Sequence, residues 1–205
     1  WLEVHAENFM AGGMLADDLD AIARDYSISL HAVGLSLGSA AGVSKSHALN
    51  LKRLIDRFAP CIVSDHLSWS EIGGAHLPDL LPFPYSEEAL DVAARNIDFV
   101  QTVIQRPLLI ENPSVYLEPA GSTMSEPAFL AALCARSGCG VLLDVNNIFV
   151  SAHNLGRDAS RALEDYIEAL PHAAIGEIHL AGHAETQLRS GATACIDDHG
   201  STVRE

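Results

Sequence analysis

LLIENPSVYLEPAGSTMSEPAFLAALCARSGCGVLLDVNN, residues 108–147, contains two continuously apolar runs with a helical pattern between them. The runs Leu108–Ile110 and Val141–Leu143 are typical of strands that are buried on both faces, as in a parallel sheet. The segment Ser125–Ser137 has the pattern of a helix, with an acid and a proline in its first turn. The stretch therefore predicts a strand, a helix and a second strand parallel to the first.

The same alternation continues outward in both directions, so one α/β domain over residues 1–205 is expected. The predicted strands are Trp1–Ala6, Ile28–Val33, Cys61–Asp65, Leu108–Ile110, Val141–Val145 and Ile175–Leu180. The predicted helices lie near Ser46–Phe58, Ser86–Gln105, Ser125–Ser137 and Asp158–Leu170. Six such units fit a (β/α)8 TIM barrel whose first and last strand units are absent from this chain, since a complete barrel needs ~250 residues. We expect the sequence to be part of a longer barrel, and a doubly wound open sheet is the main alternative.

Composition excludes several classes of function. The formal net charge of −15 would repel phosphate backbones, so nucleic acid is not an expected partner. No apolar run approaches the ~20 residues that a membrane span needs, and no nucleotide-binding glycine motif follows a strand. The four cysteines form neither a disulfide framework nor a zinc ribbon, which favours reduced, mostly buried thiols and a cytoplasmic protein.

Potential metal ligands follow almost every predicted strand. In a parallel barrel the active site lies at the carboxyl ends of the strands, so these residues should share one mouth. Many carboxylates and imidazoles in one pocket would be costly without cations, because like charges there force protonation. The residues at or near these ends, and in a later loop, are His31, His66, Glu111, Asp144, His179, His183, Asp197 and His199.

The type of ligand restricts the metal. Imidazole and carboxylate without thiolate suit zinc, iron, manganese or cobalt. Carboxylates on adjacent strands can each bridge two ions, so the sequence predicts two or three metal ions and an enzyme that uses them.

Other polar residues near the mouth are candidates for contact with a substrate. Glu7 and Asn8 follow the first strand and either orient a substrate, support a ligand histidine or simply hydrogen bond at the strand end. His153 follows the fifth strand and is a further candidate for substrate contact. His47 is expected to be a surface or helix residue, and Asp65 is expected to face away from the barrel interior.

Seven motifs in this order resemble the multinuclear non-haem iron-dependent oxidative enzymes, a family long described as uncharacterised bacterial proteins and related to the oxidase of methanobactin biosynthesis. The motifs span nearly the whole chain: WLEVHAENF (1–9), HAVGLSLG (31–38), SDHLSW (64–69), LPFPY (81–85), ENPS (111–114), LDVNN (143–147) and DDHG (197–200). The resemblance implies a TIM barrel of the xylose-isomerase-like superfamily.

The resemblance also implies a ligand set. His31, His66 and Glu111 would hold a first metal ion, and Glu111 would bridge to a second ion that is held by Asp144 and His179. A third ion would take Asp197 and His199, with Asn147 or His183 as a further ligand. A carboxylate that the family carries on its last strand has no counterpart before Glu205.

The resemblance implies an activity. Family members oxidise cysteine, or another residue, in a ribosomally made precursor peptide with dioxygen and iron, and a separate partner protein often presents the peptide. Zinc or manganese in place of iron is compatible with the ligands. A metal-dependent hydrolase or phosphodiesterase of the apurinic-endonuclease type, a sugar isomerase or epimerase and a non-catalytic metal-binding module are the alternatives.

Overall fold

A six-stranded parallel sheet forms the centre of the computed structural model, which describes residues 1–72, 75–189, 191 and 193–198. The sheet strands are β1 (Leu2–His5), β2 (Ile28–His31), β3 (Ile62–His66), β6 (Leu109–Glu111), β7 (Gly140–Asp144) and β8 (Ile175–His179). They lie side by side in chain order, β1-β2-β3-β6-β7-β8. In a doubly wound sheet the order of the strands reverses at a switch point, and in this sheet the strand order does not reverse.

The sheet is strongly curved. Glu3 on one edge strand and His179 on the other have side chains in contact, with 3.1 Å between Glu3 Oε1 and His179 Nε2. The curvature, the chain-order strands and the helices that follow them form a partial TIM barrel, which confirms the predicted fold class.

In the described part of the chain, six α-helices connect or flank these strands: α1 (Met14–Ile22), α2 (Lys45–Phe58), α3 (Glu87–Ile104), α4 (Glu126–Ser137), α5 (Val145–Asn154) and α6 (Ala159–Ala169). Side chains cap the first turns of α2, α3 and α4, where Ser44, Ser86 and Ser125 accept hydrogen bonds from backbone N–H groups three residues later. Gly138 ends α4 with a φ of 67°, a conformation that glycine adopts without steric cost. The helices α1 and α5 were not predicted.

Two antiparallel hairpins, which the sequence patterns did not predict either, project from the carboxyl side of the sheet. Strands β4 (Trp69–Ile72) and β5 (Ala75–Leu81) follow β3, and strands β9 (His183–Gln187) and β10 (Thr193–Asp197) follow β8. Both hairpins lie directly after strands that end in a candidate ligand, so they border the same mouth.

The two faces of the sheet differ in character. The outward residues Leu30, Val63, Ile110, Val141 and Leu143 are buried in the apolar core against the helices. The opposite face carries polar and charged side chains, among them Ser29, His31, Ser64, Glu111 and Asp144, all buried. This alternation places the hydrophobic core outside the barrel and the chemistry inside it.

Three of the four cysteines are buried and only Cys61 is exposed, as the sequence predicted. In the described part of the chain, no helix combines the length and apolar character that crossing a membrane requires.

Candidate metal centre

Five of the predicted ligands converge inside the curved sheet, because the carboxyl ends of parallel strands lie at one edge. Strand register places His66 beside Glu111 and Asp144 beside His179. His31 on β2 completes the set. All five side chains are buried or nearly so, and Glu111 and Asp144 have no solvent exposure.

The first group contains two imidazoles and one carboxylate. Glu111 Oε2 lies 3.2 Å from His31 Nε2 and 3.3 Å from His66 Nε2, and the two rings are 4.6 Å apart between centroids. The other nitrogen of His31, Nδ1, is 2.8 Å from the Ser64 hydroxyl, which fixes the ring so that Nε2 points at Glu111. These three side chains could hold one metal ion.

The second group shares Glu111 with the first. His179 Nδ1 lies 3.6 Å from Glu111 Oε1 and 3.6 Å from Asp144 Oδ2. Glu111, Asp144 and His179 could therefore hold a second ion, with the two oxygens of Glu111 directed to different groups.

A third group, which the sequence analysis did not identify, lies deeper in the sheet. Glu3, Glu177 and His179 also have potential ligand atoms close to one another. Glu3 and Glu177 stand two residues before the strand-end histidines His5 and His179, so the two-residue period of a strand was the signal that could have found them.

Buried charge makes this region electrostatically costly. Burial raises the pKa of Glu111 to about 7, since desolvation and the nearby Asp144 outweigh its hydrogen bond to His179. Burial lowers the pKa of His179, but hydrogen bonds to Asp144, Glu111 and Glu3 outweigh that effect and raise it to about 12. The carboxylates of Glu111 and Asp144, neither of which is exposed to solvent, therefore both lie beside the positively charged ring of His179.

The donor set fits a bound cation. Oε2 of Glu111 is buried, faces two imidazole nitrogens and has no hydrogen bond among the described residues. A cation between these atoms would offset the desolvation of the carboxylate and use imidazole lone pairs as ligands.

Two asparagines hold the carboxylates in place. Asn112 donates through Nδ2 to the carbonyl of Asp144, and its Oδ1 accepts from the N–H of Asp144, both at 2.9 Å. Asn147 donates to Glu111 Oε1 at 3.3 Å and to the carbonyl of Asn112 at 3.0 Å. The amide nitrogen of Asn147 therefore faces Glu111, and this contact supports the shared carboxylate.

Asp197 and His183 lie on the hairpin β9–β10. They are opposite each other in its register, where Asp197 accepts a hydrogen bond from Asn146 at 2.7 Å and His183 stacks on Phe149 at 4.7 Å. Among the described residues neither joins a group of three potential ligands. His199, also predicted as a ligand, lies outside the described residues.

Helix α5 fixes the position of this hairpin. Asn154 accepts a hydrogen bond from the N–H of Cys195 and donates one to its carbonyl, both at 2.9 Å. This pair joins the hairpin that carries Asp197 to the helix that begins after Asp144.

We expect the Asn154→Ala variant to loosen the hairpin without unfolding the domain. Loss of two hydrogen bonds worth about 1 kcal/mol each should speed amide exchange at Cys195 by roughly tenfold or more. Hydrogen exchange with mass spectrometry measures this, and Gln187→Ala in the exposed part of the same hairpin serves as the control. Unchanged exchange at Cys195 would show that the hairpin is held by other contacts.

The remaining candidates occupy the rim. Glu7 accepts hydrogen bonds from the N–H groups of Val33 and Gly34 at 3.1 and 3.0 Å and contacts His47 Nε2 at 3.0 Å. Burial raises the pKa of Glu7, but these hydrogen bonds outweigh burial and lower it. His47 lies on helix α2, and its ring is half-buried against Glu7.

Asn8 and His153 are exposed. His153 lies near the end of α5 and stacks on Phe149 at 6.3 Å. Asp65 faces away from the interior, as predicted, and accepts from the N–H of Leu35 at 3.0 Å. Burial raises the pKa of Asp65 to about 8, with a further contribution from Glu7.

Solved structures share this fold. A D-psicose 3-epimerase, solved in the presence of D-fructose, has a TM-score of 0.57 at 11% identity, over 87% of this chain and 62% of that one. Endonuclease IV from Thermus thermophilus has a TM-score of 0.51 at 14% identity, over 80% and 58%. A xylose isomerase domain protein from Planctomyces limnophilus also has a TM-score of 0.51, at 11% identity over 89% and 64%. At these identities the likeness concerns the xylose-isomerase-like barrel fold alone.

Sequence relatives are much more similar. A UPF0276 protein of Caulobacter vibrioides is 52% identical, and the match covers all of this chain and 71% of the relative. A UPF0276 protein of Vibrio vulnificus is 50% identical over 99% of this chain and 68% of the relative. The family described as RiPP precursor modification enzyme MbnB/TglH/ChrH matches over residues 1–205. With the barrel and the buried histidine–carboxylate groups, this match means that the chain belongs to the MbnB/TglH/ChrH family of enzymes that modify the precursors of ribosomally made, post-translationally modified peptides.

Proposed function

We propose that this protein binds a cluster of two or three iron ions and oxidises a residue, cysteine above all, of a ribosomally made precursor peptide with dioxygen. The observation that carries the proposal is the buried carboxylate of Glu111, whose two oxygens face two different ligand groups. A carboxylate arranged in this way suits two adjacent metal ions. A site with a single metal ion would not need this arrangement.

In this proposal His31, His66 and Glu111 hold the first ion, and Glu111, Asp144 and His179 the second. Asp197 and His199 hold the third, with Asn147 or His183 as a further ligand. When bound, iron supplies the redox chemistry and activation of dioxygen that protein side chains lack.

The chain itself contributes orientation and electrostatics. Ser64 fixes the ring of His31, Asn112 fixes the backbone of Asp144, and the Asn147 amide donates to Glu111. These contacts hold the donor atoms before any ion arrives, which lowers the reorganisation that binding requires. At the rim, Glu7, Asn8 and His153 are the proposed residues for substrate contact.

A peptide substrate is supported by the family, whose members modify RiPP precursors. We propose a cytoplasmic reaction in which a separate protein presents the peptide to the mouth. The net charge of −15 favours a peptide over a nucleic acid, although endonuclease IV shares the fold.

The test is the metal content and oxidation state of the full-length protein, purified without oxygen from iron-supplemented cells. We expect about two or more iron ions per chain, because sites with a shared carboxylate hold adjacent metal ions. The Mössbauer spectra should show coupled ferrous and ferric signals. Dioxygen uptake should rise when a cysteine-containing precursor peptide and its presenting protein are added.

Zinc provides the decisive contrast. A protein that retains only zinc after iron-supplemented growth, and that consumes no dioxygen with peptide, would contradict the oxidative proposal. Cleavage of an abasic duplex by that zinc form would then identify a hydrolase.

A further inference from the structure

A cavity of about 440 Å³ lies beside α5, between the start of α4, helix α6 and the segment that precedes α4. Helix α5 borders both the metal centre, through Asn147, and this cavity, through Ile148 and Ala152. Most of the cavity wall is apolar, and its apolar residues include Val115, Met124, Ile148, Ala152, Leu155 and Ala162.

One carboxylate interrupts this apolar wall. Glu126 lines the cavity, and its Oε1 atom is buried and has no hydrogen-bond partner among the described residues. Burial raises the pKa of Glu126 to about 7, although hydrogen bonds from Tyr166 and Tyr85 and the charge of Arg157 act in the opposite direction. An unsatisfied carboxylate oxygen in an apolar cavity costs free energy that a donor from a ligand would recover.

The nearby cations already have partners. Arg157 pairs with Glu118, and Arg161 pairs with Asp165 at 2.8 Å and with Glu164 at 3.3 Å. Glu126 forms no ion pair within the described ranges of the chain. A positive group that enters the cavity would therefore meet a carboxylate whose Oε1 has no hydrogen-bond partner among the described residues.

We propose that this cavity binds an apolar residue and an adjacent lysine or arginine of the substrate peptide, with the cationic group at Glu126. The identity of the peptide as substrate rests on the proposed function, whereas the chemistry of the ligand follows from the cavity. The volume of the cavity exceeds that of one side chain. Tyr116 and Leu117 beside it are 50% and 61% exposed, so an apolar residue next to the cation would have an apolar surface to pack against. A cavity next to the helix that carries Asn147 would anchor the peptide near the metal centre.

The test uses the full-length protein and two dipeptide probes, N-acetyl-leucyl-lysine amide and its neutral analogue with norleucine in place of lysine. Binding is followed by saturation-transfer NMR and titration calorimetry. We expect the lysine probe to bind about tenfold more tightly than the norleucine probe, since a charge-assisted hydrogen bond separates the two.

Two variants and one control locate the site. Glu126→Gln should remove the preference for lysine, and Ala162→Phe should fill the cavity and abolish binding of both probes. Glu88→Gln, in the exposed first turn of α3 and outside the cavity lining, should leave binding as in the parent protein. No binding of the lysine probe, or an undiminished lysine preference in Glu126→Gln, would overturn the proposal.

Binding is measured on both metal-loaded and metal-free protein. Lysine-selective binding by a protein that lacks iron chemistry would support the cavity and contradict the proposed function. Iron-dependent oxidation by a protein that binds neither probe would support the proposed function and contradict the proposed role of the cavity.

Discussion

Replacing Glu111 with glutamine should empty two metal sites with one substitution. Glu111 belongs to both ligand groups, so Glu111→Gln removes the negative charge and one donor oxygen from each. We expect metal affinity to fall by on the order of 100-fold or more at both sites. The measurement is metal per chain by mass spectrometry after gel filtration against a weak chelator.

His66→Ala provides the contrast, because His66 belongs only to the first group. We expect that variant to lose about one ion, while Glu111, Asp144 and His179 retain the other. Glu87→Gln, on the exposed start of α3, is the matched control for the change from glutamate to glutamine. Equal losses in the Glu111 and His66 variants would argue against a shared carboxylate.

The second large effect is expected at Asn112, which is not one of the predicted metal ligands. Asn112→Ala leaves the buried N–H and carbonyl of Asp144 without their side-chain partners. Each unsatisfied buried group costs about 1–3 kcal/mol, so the free energy of unfolding should fall by about 2–6 kcal/mol. Urea denaturation of the metal-free, full-length protein measures this change.

The same variant should also weaken the second metal site, since Asp144 would no longer be held in position. Asn50→Ala on the surface of α2 is the control for stability, and we expect it to change the free energy of unfolding by less than ~0.5 kcal/mol. An Asn112→Ala protein with normal stability and normal metal content would show that the strand alone fixes Asp144.

The sequence predicted the parallel strands well because their signal is local. Apolar runs such as Leu108–Ile110 are too short for helices and are followed by polar residues at the strand ends. The same rule brought the five central ligand candidates together, since strand ends meet at one mouth whatever the details of packing.

Helices α1 and α5 were missed for physical reasons. Met14 and Leu15 at the start of α1 are 83% and 61% exposed, so its apolar residues do not mark a buried face. Helix α5 begins directly after β7, and Asp144 is both the last residue of the strand and the cap of the helix. No turn residue separates the two elements, and Asp144 was interpreted as a strand-end ligand and not as a helix cap.

The hairpins were missed because their strands lack the usual pattern. Strand β9, HAETQ, is largely polar and pairs with β10, which Asn154 of α5 holds through Cys195. Such contacts between remote residues cannot be read from local periodicity. Glu3 and Glu177 were not predicted because they lie within β1 and β8, whereas ligands are expected at the carboxyl ends of the strands.

The contrast between the two faces of the sheet has an evolutionary consequence. Outward residues such as Leu30 and Ile110 lie in the apolar core and supply the burial that stabilises the fold. Inward residues such as Ser64 and Glu111 contribute little to that core. Mutations on the inner face can therefore change metal preference or substrate while the scaffold keeps its stability, so the barrel can acquire new chemistry without first having to be rebuilt.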